Sequence, residues 1–169
     1  MKKEETKIVD NLSVVVPVYN DQEVLQELYR RLNPVVESLA THYEIVLVDD
    51  GSKDHSWDEI MKLREADDHI VAVKLARNFG QQNSIAAGLN VAKGEIIVLM
   101  DSDLQDRPED IPVLIDTLLK SGTQMAIAQW QTRQDTWAKR TVSNIFNRVS
   151  NTITAIHIEP HLGVFRAIR

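Results

Sequence analysis

The sequence predicts an α/β domain in which a mostly parallel, Rossmann-like sheet carries helices on both faces. Apolar runs and amphipathic helical patterns alternate along the 169 residues, which is the element order of a parallel sheet. The apolar runs are almost continuous, as is typical of strands buried on both faces. Hydrophobic residues make up 43% of the chain, which is ordinary for a globular protein of one domain.

The first predicted elements are a strand, a helix and a second strand. The apolar run at residues 12–18 predicts a buried strand. Apolar residues then recur near helical spacing over 24–39. We expect this helix to be interrupted or kinked at Asn33-Pro34, because proline lacks the amide hydrogen that a helix interior uses. Residues 43–48 predict the second strand.

The rest of the chain repeats the alternation. After a turn and candidate cap at 51–54, a helix is predicted to run to about Ala66. Pro108 suits the first turn of the last helix, which is predicted to run toward Leu119. Between and beyond these we predict a third strand, a helix closed by Lys93-Gly94, and two further strands, at residues 70–75, 81–92, 95–100 and 124–128.

Acidic pairs follow two of the predicted strands. Asp101-Ser102-Asp103 follows the fourth, and Asp49-Asp50 ends the second. Ligands of open α/β sheets bind at the carboxyl ends of the strands, where Asn20 and Arg77 should also lie. Desolvated like charges repel each other unless a cation or hydrogen bonds compensate. Because Mg²⁺ and Mn²⁺ prefer oxygen ligands, the pattern predicts a metal site for a phosphorylated ligand, here a nucleotide-sugar.

Plainer interpretations stand beside these. Acidic loop residues are common, Asp50-Gly51-Ser52 can be a capping turn, and Arg77 can be a surface arginine in a glycine loop. Other classes are excluded or disfavoured: the absence of cysteine rules out a thiolate site or nucleophile. Neither a G-x-x-x-x-G-K-[ST] loop nor a G-x-G-x-x-G fingerprint is present, which counts against kinases, NTPases and NAD enzymes.

Charge is distributed unevenly. The net charge is −6, yet the stretch from Gln129 onward holds six basic and two acidic residues. This excess suggests an anionic partner, or chance placement of surface charge. Residues 137–156 form a basic amphipathic pattern that can lie on an anionic membrane or pack on the domain's own sheet. No nucleic acid is expected, because aromatic and basic residues are not interleaved as in known modules.

No predicted element is long and apolar enough to span a bilayer, and the charged start leads into no signal-type apolar segment. A cytoplasmic location is therefore the default expectation.

Seven sequence blocks, in order, resemble the family-two inverting glycosyltransferases of GT-A fold. The likeness runs from about Leu12 to Arg166 and is strongest to the dolichyl-phosphate mannose synthase-like branch, which includes undecaprenyl-phosphate glycosyltransferases. The blocks are Val16-Pro17-Val18-Tyr19-Asn20, Val48-Asp49-Asp50-Gly51-Ser52, Ala76-Arg77-Asn78-Phe79-Gly80-Gln81, Ala87-Gly88-Leu89, Lys93-Gly94-Glu95, Met100-Asp101-Ser102-Asp103-Leu104-Gln105-Asp106 and Gly163-Val164-Phe165-Arg166.

The resemblance implies a role for each matching residue. It implies that Asp50 reads the base, that Asp103 and Arg133 act in catalysis, and that Arg133 lies near the diphosphate and the acceptor phosphate. A metal, Mg²⁺ or Mn²⁺, would be held by Asp101, Asp103 and Gln105. The remaining residues expected at the substrates, including two arginines that offer positive charge, are Pro17, Tyr19, Asp21, Arg77 and Arg166.

The implied reaction is transfer of a sugar from a UDP- or GDP-sugar to a polyprenyl phosphate at the inner face of the cell membrane. An anionic acceptor needs no strong general base. Residues 1–169 would form a single catalytic domain, either truncated before the family's acceptor-site and membrane segments or naturally short. The chain departs from the family pattern at Asp21, Trp130 and His161. Two alternatives stay open. One is a glycosyltransferase with a saccharide acceptor; the other is a non-catalytic nucleotide-sugar-binding or assembly module, which the ending at Arg169 and the departures at Trp130 and His161 make plausible.

Overall fold

A computed structural model describes residues 7–128 and 164–169. The chain divides into two compact units, one of Met1–Ala126 with Val164–Arg169 and one of Ile127–Gly163. The expectations for Trp130, Arg133, His161 and the 137–156 pattern lie outside the described residues.

The described part of the chain forms one six-stranded sheet in the order β3-β2-β1-β4-β6-β5. The first four strands pair in parallel, and β6 pairs antiparallel with β4. This confirms the predicted α/β class with a mostly parallel sheet. The strands are β1 (Val9–Val18), β2 (Ala40–Asp49), β3 (Ile70–Lys74), β4 (Ile96–Leu99), β5 (Met125–Ile127) and β6 (Arg166–Ile168).

Helices connect the strands where the sequence predicts them. They are α1 (Leu25–Leu39), α2 (Ser56–Ala66), α3 (Gln81–Val91) and α4 (Ile111–Ser121), and a single 3₁₀ turn, Pro108–Asp110, precedes α4. Of the two outcomes expected at Pro34, the interruption is wrong, since α1 continues through this residue. The apolar stripe of α1 stays buried on both sides of Pro34, and this packing outweighs the loss of one backbone hydrogen bond. None of the described helices combines the length and apolar character that crossing a membrane requires.

Both faces of the sheet are covered. Val14, Val15 and Val16 follow one another in β1 and are all fully buried, although successive side chains in a strand point to opposite faces. On the face of Val15, helix α3 comes so close that a Cβ atom on Gly88 would lie 2.3 Å from Val15 Cγ1. The glycine therefore sets the distance between α3 and the sheet.

Strand order reverses at β1, which lies between β2 and β4. At such a switch point the loops after the two flanking strands diverge and leave a crevice at the carboxyl edge. The backbone bond from Met100 N to Val15 O (3.2 Å) brings the end of β4 beside β1. Asp101 consequently lies at the same carboxyl edge of the sheet as the loop after Val18.

Strand β6 is an element that the sequence patterns did not reveal. It lies between β4 and β5, and it pairs Arg166 with Leu99. Three residues are too few to show a strand period, and the partner strand is distant in sequence. The pairing places Arg166 beside the carboxyl end of β4.

Candidate active site

A pocket of about 200 Å³ opens at the carboxyl ends of β1 and β2. Four residues expected at a nucleotide, Pro17, Tyr19, Asp21 and Asp50, meet in its wall, and Tyr19 is 39% exposed. The full lining, from the loops after β1, β2 and β3 and the start of α3, is Pro17, Val18, Tyr19, Asp21, Asp50, Asn78, Gly80, Gln81 and Ser84.

A second pocket of about 200 Å³ lies at the opposite, amino-terminal edge of the sheet. Its carboxylate, Glu44, already accepts hydrogen bonds from Ser13 Oγ (2.7 Å) and Lys93 N (2.6 Å). These bonds join β1, β2 and the turn after α3. The acidic residues expected at a ligand gather instead at the carboxyl edge, which is therefore the candidate site.

The loop after β1 is fastened to the loop after β2. Asn20 N donates to Ser52 Oγ (3.0 Å), and Asp21 N donates to Ser56 Oγ (2.8 Å). In return, Asn20 Oδ1 accepts from Lys53 N (2.8 Å). Asn20 has a φ of 57°, a left-handed conformation that asparagine tolerates better than most residues. The two loops consequently hold each other's backbone groups and form one wall of the pocket.

A second set of bonds continues this seam toward α2. Gln22 N donates to Asp54 Oδ2 (3.2 Å), and His55 N donates to Gln22 Oε1 (2.7 Å). Burial acts to raise the pKa of Asp54, but hydrogen bonds from Ser56 and the Gln22 backbone outweigh it, so this pKa lies below its ordinary value. Asp54 is therefore held as an acceptor of backbone hydrogen bonds.

Asp50 organises the loop after β3. Its carboxylate is 3% exposed and accepts from Phe79 N (2.8 Å) and Gly80 N (2.9 Å). The neighbouring Gly51 has a φ of 68°, and a Cβ there would lie 2.5 Å from the backbone carbon of Arg77. Asp50 thus lines the pocket and also fixes the loop that closes one side of it.

The other member of that acidic pair has a different environment. Asp49 is fully buried, and its Oδ1 accepts from Ser52 N (3.1 Å). It therefore shapes the turn after β2, whereas Asp50 faces the pocket.

The loop after β4 presents Asp101 and Asp103. Gln81 Nε2, from the first turn of α3, donates to Asp101 Oδ1 (2.6 Å). Asp101 N donates to the buried Asp106 carboxylate (3.1 Å). The carboxylate of Asp101 is thus oriented from one side by a helix, while its backbone is held from within the loop.

Asp103 occupies the exposed tip of this loop. Its Oδ1 accepts from Gln105 N (3.0 Å), and the intervening Leu104 has a φ of 62°. A left-handed non-glycine residue is a strained conformation that surrounding contacts must maintain. The tight turn keeps Asp103 and Gln105 next to each other at the surface.

The chemistry of these side chains fits a hard divalent cation. Two carboxylates and the amide of Gln105 supply the oxygen ligands that Mg²⁺ and Mn²⁺ prefer. The described ranges contain no group of three His, Cys, Asp or Glu side chains placed to hold a metal. Mg²⁺ is commonly bound by one or two carboxylates together with phosphates of a substrate, which matches this sparse set.

Two arginines reach the same edge. Arg77 is exposed, and its guanidinium lies 4.6 Å from the centre of the Phe79 ring. Arg166 is half-buried at the start of β6, where its Nε donates to Val164 O (3.1 Å). The carboxyl edge therefore carries positive charge on either side of the acidic loop.

Three positioning contacts were not apparent in the sequence. Gln81, Ser102 and Asp106 hold the loop after β4, through the two bonds to Asp101 and a hydrogen bond from Ser102 Oγ to Asp21 Oδ2. All three residues lie within the sequence blocks that resemble the glycosyltransferase family. Their presence in those blocks was the one signal in the sequence that they contribute to the site.

An ion pair anchors the far end of this loop. Arg31 of α1 contacts Glu109 twice, from Nε to Oε1 (2.8 Å) and from Nη2 to Oε2 (2.6 Å). The hydrogen bonds from Arg31 lower the pKa of Glu109 to about 2. This pair joins α1 to the 3₁₀ turn that follows the acidic loop.

Glu109→Gln is expected to change how stability depends on pH. Because the pKa of Glu109 is depressed in the folded protein, its contribution is complete above about pH 5 and is lost as the pH falls toward 2. The carboxylate is 41% exposed, so solvent screening limits this contribution to about 1 kcal/mol. In urea unfolding at pH 6 and pH 3, the difference in unfolding free energy between variant and wild type should be smaller at pH 3. An equal difference at both pH values would contradict the stabilising ion pair between Glu109 and Arg31.

Two proteins of known structure have a fold similar to this one. Glucosyl-3-phosphoglycerate synthase from Mycobacterium tuberculosis, solved with Mn²⁺, UDP-glucose and phosphoglyceric acid, has a similar fold. The TM-score is 0.68 at 19% identity, over 94% of this chain and 56% of that one. TarS 1–349 from S. aureus, solved with UDP-GlcNAc, gives a TM-score of 0.56 at 24% identity, over 75% of this chain and 37% of that one.

This chain therefore spans between 37% and 56% of the lengths of these two structures. Its sequence matches Glycosyl transferase family 2 over residues 13–166, a range that includes all four helices, strands β2 to β5, and parts of β1 and β6. The chain has the GT-A type of fold and belongs to glycosyl transferase family 2.

Proposed function

We propose that this protein transfers a sugar from a UDP-sugar to a polyprenyl phosphate, with a divalent cation and with inversion at the anomeric carbon. The observation that best supports this proposal is that Asp101 and Asp103 lie at the same edge of the sheet as a pocket. Pro17, Tyr19 and Asp50 line that pocket. Uridine is favoured over guanosine because the two similar structures contain UDP-sugars. Membership of the dolichyl-phosphate mannose synthase-like branch is part of the same proposal.

The base and the diphosphate of the donor would bind at two neighbouring places. The pocket beside Tyr19 and Asp50 would hold the base, and Asp21 would support that wall. Asp101, Asp103 and Gln105 would hold the cation, which supplies positive charge at the diphosphate when bound. Asp101 is oriented for this by Gln81. Little reorganisation is then needed as negative charge develops on the leaving diphosphate.

Transfer would be a single displacement. An oxygen of the acceptor phosphate attacks the anomeric carbon from the face opposite the diphosphate, the bond from that carbon to the diphosphate oxygen breaks, and UDP leaves. The acceptor is already an anion, so positioning and charge stabilisation suffice. We assign Arg133 to the diphosphate and the acceptor phosphate, and Arg77 and Arg166 to the surrounding positive field.

The lipid nature of the acceptor rests on the sequence blocks of the loops after β3 and β4. The phosphoglyceric acid bound in the mycobacterial synthase is a phosphorylated small molecule, which agrees with an acceptor that carries phosphate. We further propose that residues 1–169 act as one catalytic domain at the inner face of the cell membrane, with 137–156 as the surface next to the bilayer.

Calorimetric titration tests the donor. UDP-glucose, UDP-N-acetylglucosamine and GDP-mannose are each added to the protein with and without Mn²⁺. We expect one UDP-sugar to bind only when the metal is present. If none binds under either condition, the donor assignment is wrong and a non-catalytic module is favoured.

A panel of acceptors tests the second substrate. With the donor that binds, UDP release is followed in the presence of a short-chain polyprenyl phosphate, the dephosphorylated polyprenol and a soluble oligosaccharide. The proposal expects release that depends on the polyprenyl phosphate. Release that depends instead on the oligosaccharide would identify a transferase with a saccharide acceptor.

A further inference from the structure

Ser102 lies between the half-buried Asp101 and the exposed Asp103, and it is itself only 5% exposed. A buried hydroxyl is normally satisfied by a partner inside the protein, and here Ser102 Oγ donates to Asp21 Oδ2. This bond crosses from the loop after β4 to the loop after β1. It connects the acidic loop directly with the wall of the pocket.

The carboxylate of Asp21 also bonds to the backbone of the pocket wall. The same Oδ2 atom accepts from Tyr19 N (3.3 Å), and the Asp21 backbone donates to Ser56 Oγ. Tyr19 and Asp21 both line the pocket. A displacement of Ser102 would therefore move an atom that also holds the backbone of Tyr19.

We propose that Ser102 is a positioning residue that couples occupation of the base pocket to cation binding at Asp101 and Asp103, through its bond to Asp21. The inference rests on the proposed function, because it takes the pocket as the base site and the acidic loop as the metal site. Coupling of this kind is reciprocal, so the cation should tighten nucleoside binding and the nucleoside should tighten cation binding.

Uridine without phosphate is the probe that isolates this path. A UDP-sugar would link the two sites directly through its diphosphate, whereas uridine lacks the diphosphate. We expect saturating Mg²⁺ to lower the Kd of uridine about fivefold, near the lower end of typical coupling. The measurement is a titration of the protein with uridine, followed by amide chemical shifts, with and without Mg²⁺.

Three variants make the test specific. Ser102→Ala removes the hydroxyl and should bring the ratio of the two Kd values to about one, whereas Ser102→Thr keeps a hydroxyl and should restore it. Ser84→Ala is the matched control, because Ser84 is also buried and lines the pocket, but its hydroxyl donates to Gly80 O and not to the acidic loop. It should keep the ratio whatever its absolute Kd.

The proposal is overturned if Mg²⁺ leaves the uridine Kd of the wild type unchanged, or if Ser102→Ala keeps the full ratio. Either result is compatible with metal-dependent binding of a UDP-sugar, so the proposed function would stand. Failure of every UDP-sugar to bind in the calorimetric titration is a separate outcome, and it would remove the proposed function itself. Amide spectra of Ser102→Ala show whether the variant is folded.

Discussion

Asp103→Asn is expected to weaken UDP-sugar binding in the presence of Mn²⁺ by about 100-fold, the most that changing a residue which only supports a metal ligand usually costs. The substitution removes a charge that the proposed cation site needs, yet it keeps an oxygen that can accept from Gln105 N as Asp103 Oδ1 does at 3.0 Å. The loop should therefore keep its turn. Binding is measured by calorimetry with and without Mn²⁺.

The controls separate metal binding from general charge. Asp116→Asn removes an exposed carboxylate from α4, where it pairs with Lys120, and should leave donor binding unchanged. Uridine binding in the absence of metal should also be the same for Asp103→Asn and wild type. If Asp103→Asn retained the full effect of Mn²⁺ on donor binding, Asp103 would have to be removed from the metal site.

Gly88→Ala is expected to lower the free energy of unfolding by about 1–3 kcal/mol, the usual effect of overpacking a filled core. The new Cβ would lie 2.3 Å from Val15 Cγ1 and 3.1 Å from Val48 Cγ2. Alanine is intrinsically better than glycine in a helix by about 1 kcal/mol, so a net loss would identify steric contact as the dominant effect. Urea unfolding provides the measurement.

A double-mutant cycle identifies the partner. Val15→Ala alone should destabilise by leaving a cavity, but in combination with Gly88→Ala it removes the atom that clashes. The double variant should therefore lose less unfolding free energy than the sum of the losses in the two single variants. Asn90→Ala, at an exposed position of the same helix, gives the helix-propensity baseline. Simple additivity of the two core substitutions would contradict the proposed contact.

The sequence predicted the central sheet well because its strands have a strong local signal. Strands β1 and β2 are runs of apolar residues buried on both faces, and such runs need no knowledge of their partners to be recognised. The prediction that Pro34 interrupts α1 failed because the sequence shows the lost backbone hydrogen bond at proline. It does not show the packing of α1 that compensates for this loss. Strand β6 was missed for the complementary reason that its stability comes from pairing with a distant strand.

The site was predictable in its location but not in its contacts. Asp50 and Asp101 follow apolar runs, and parallel strands necessarily bring such residues to one edge. The bonds from Phe79 and Gly80 to Asp50, and from Ser102 to Asp21, join residues far apart in the chain. Hydrogen bonds of this kind depend on loop conformation, which carries no periodic pattern in the sequence.

The position of β6 has a consequence for synthesis on the ribosome. Strands β1 to β4 pair with one another and can assemble while the chain is still emerging, but β4 and β5 are separated in the sheet by a strand that is translated much later. Until Arg166–Ile168 emerges, the edge of β4 exposes unpaired backbone groups of the kind that promote aggregation. Long-range pairing of this type also slows folding. A nascent chain that stalls before β6 is therefore expected to be prone to aggregation at the edge of β4.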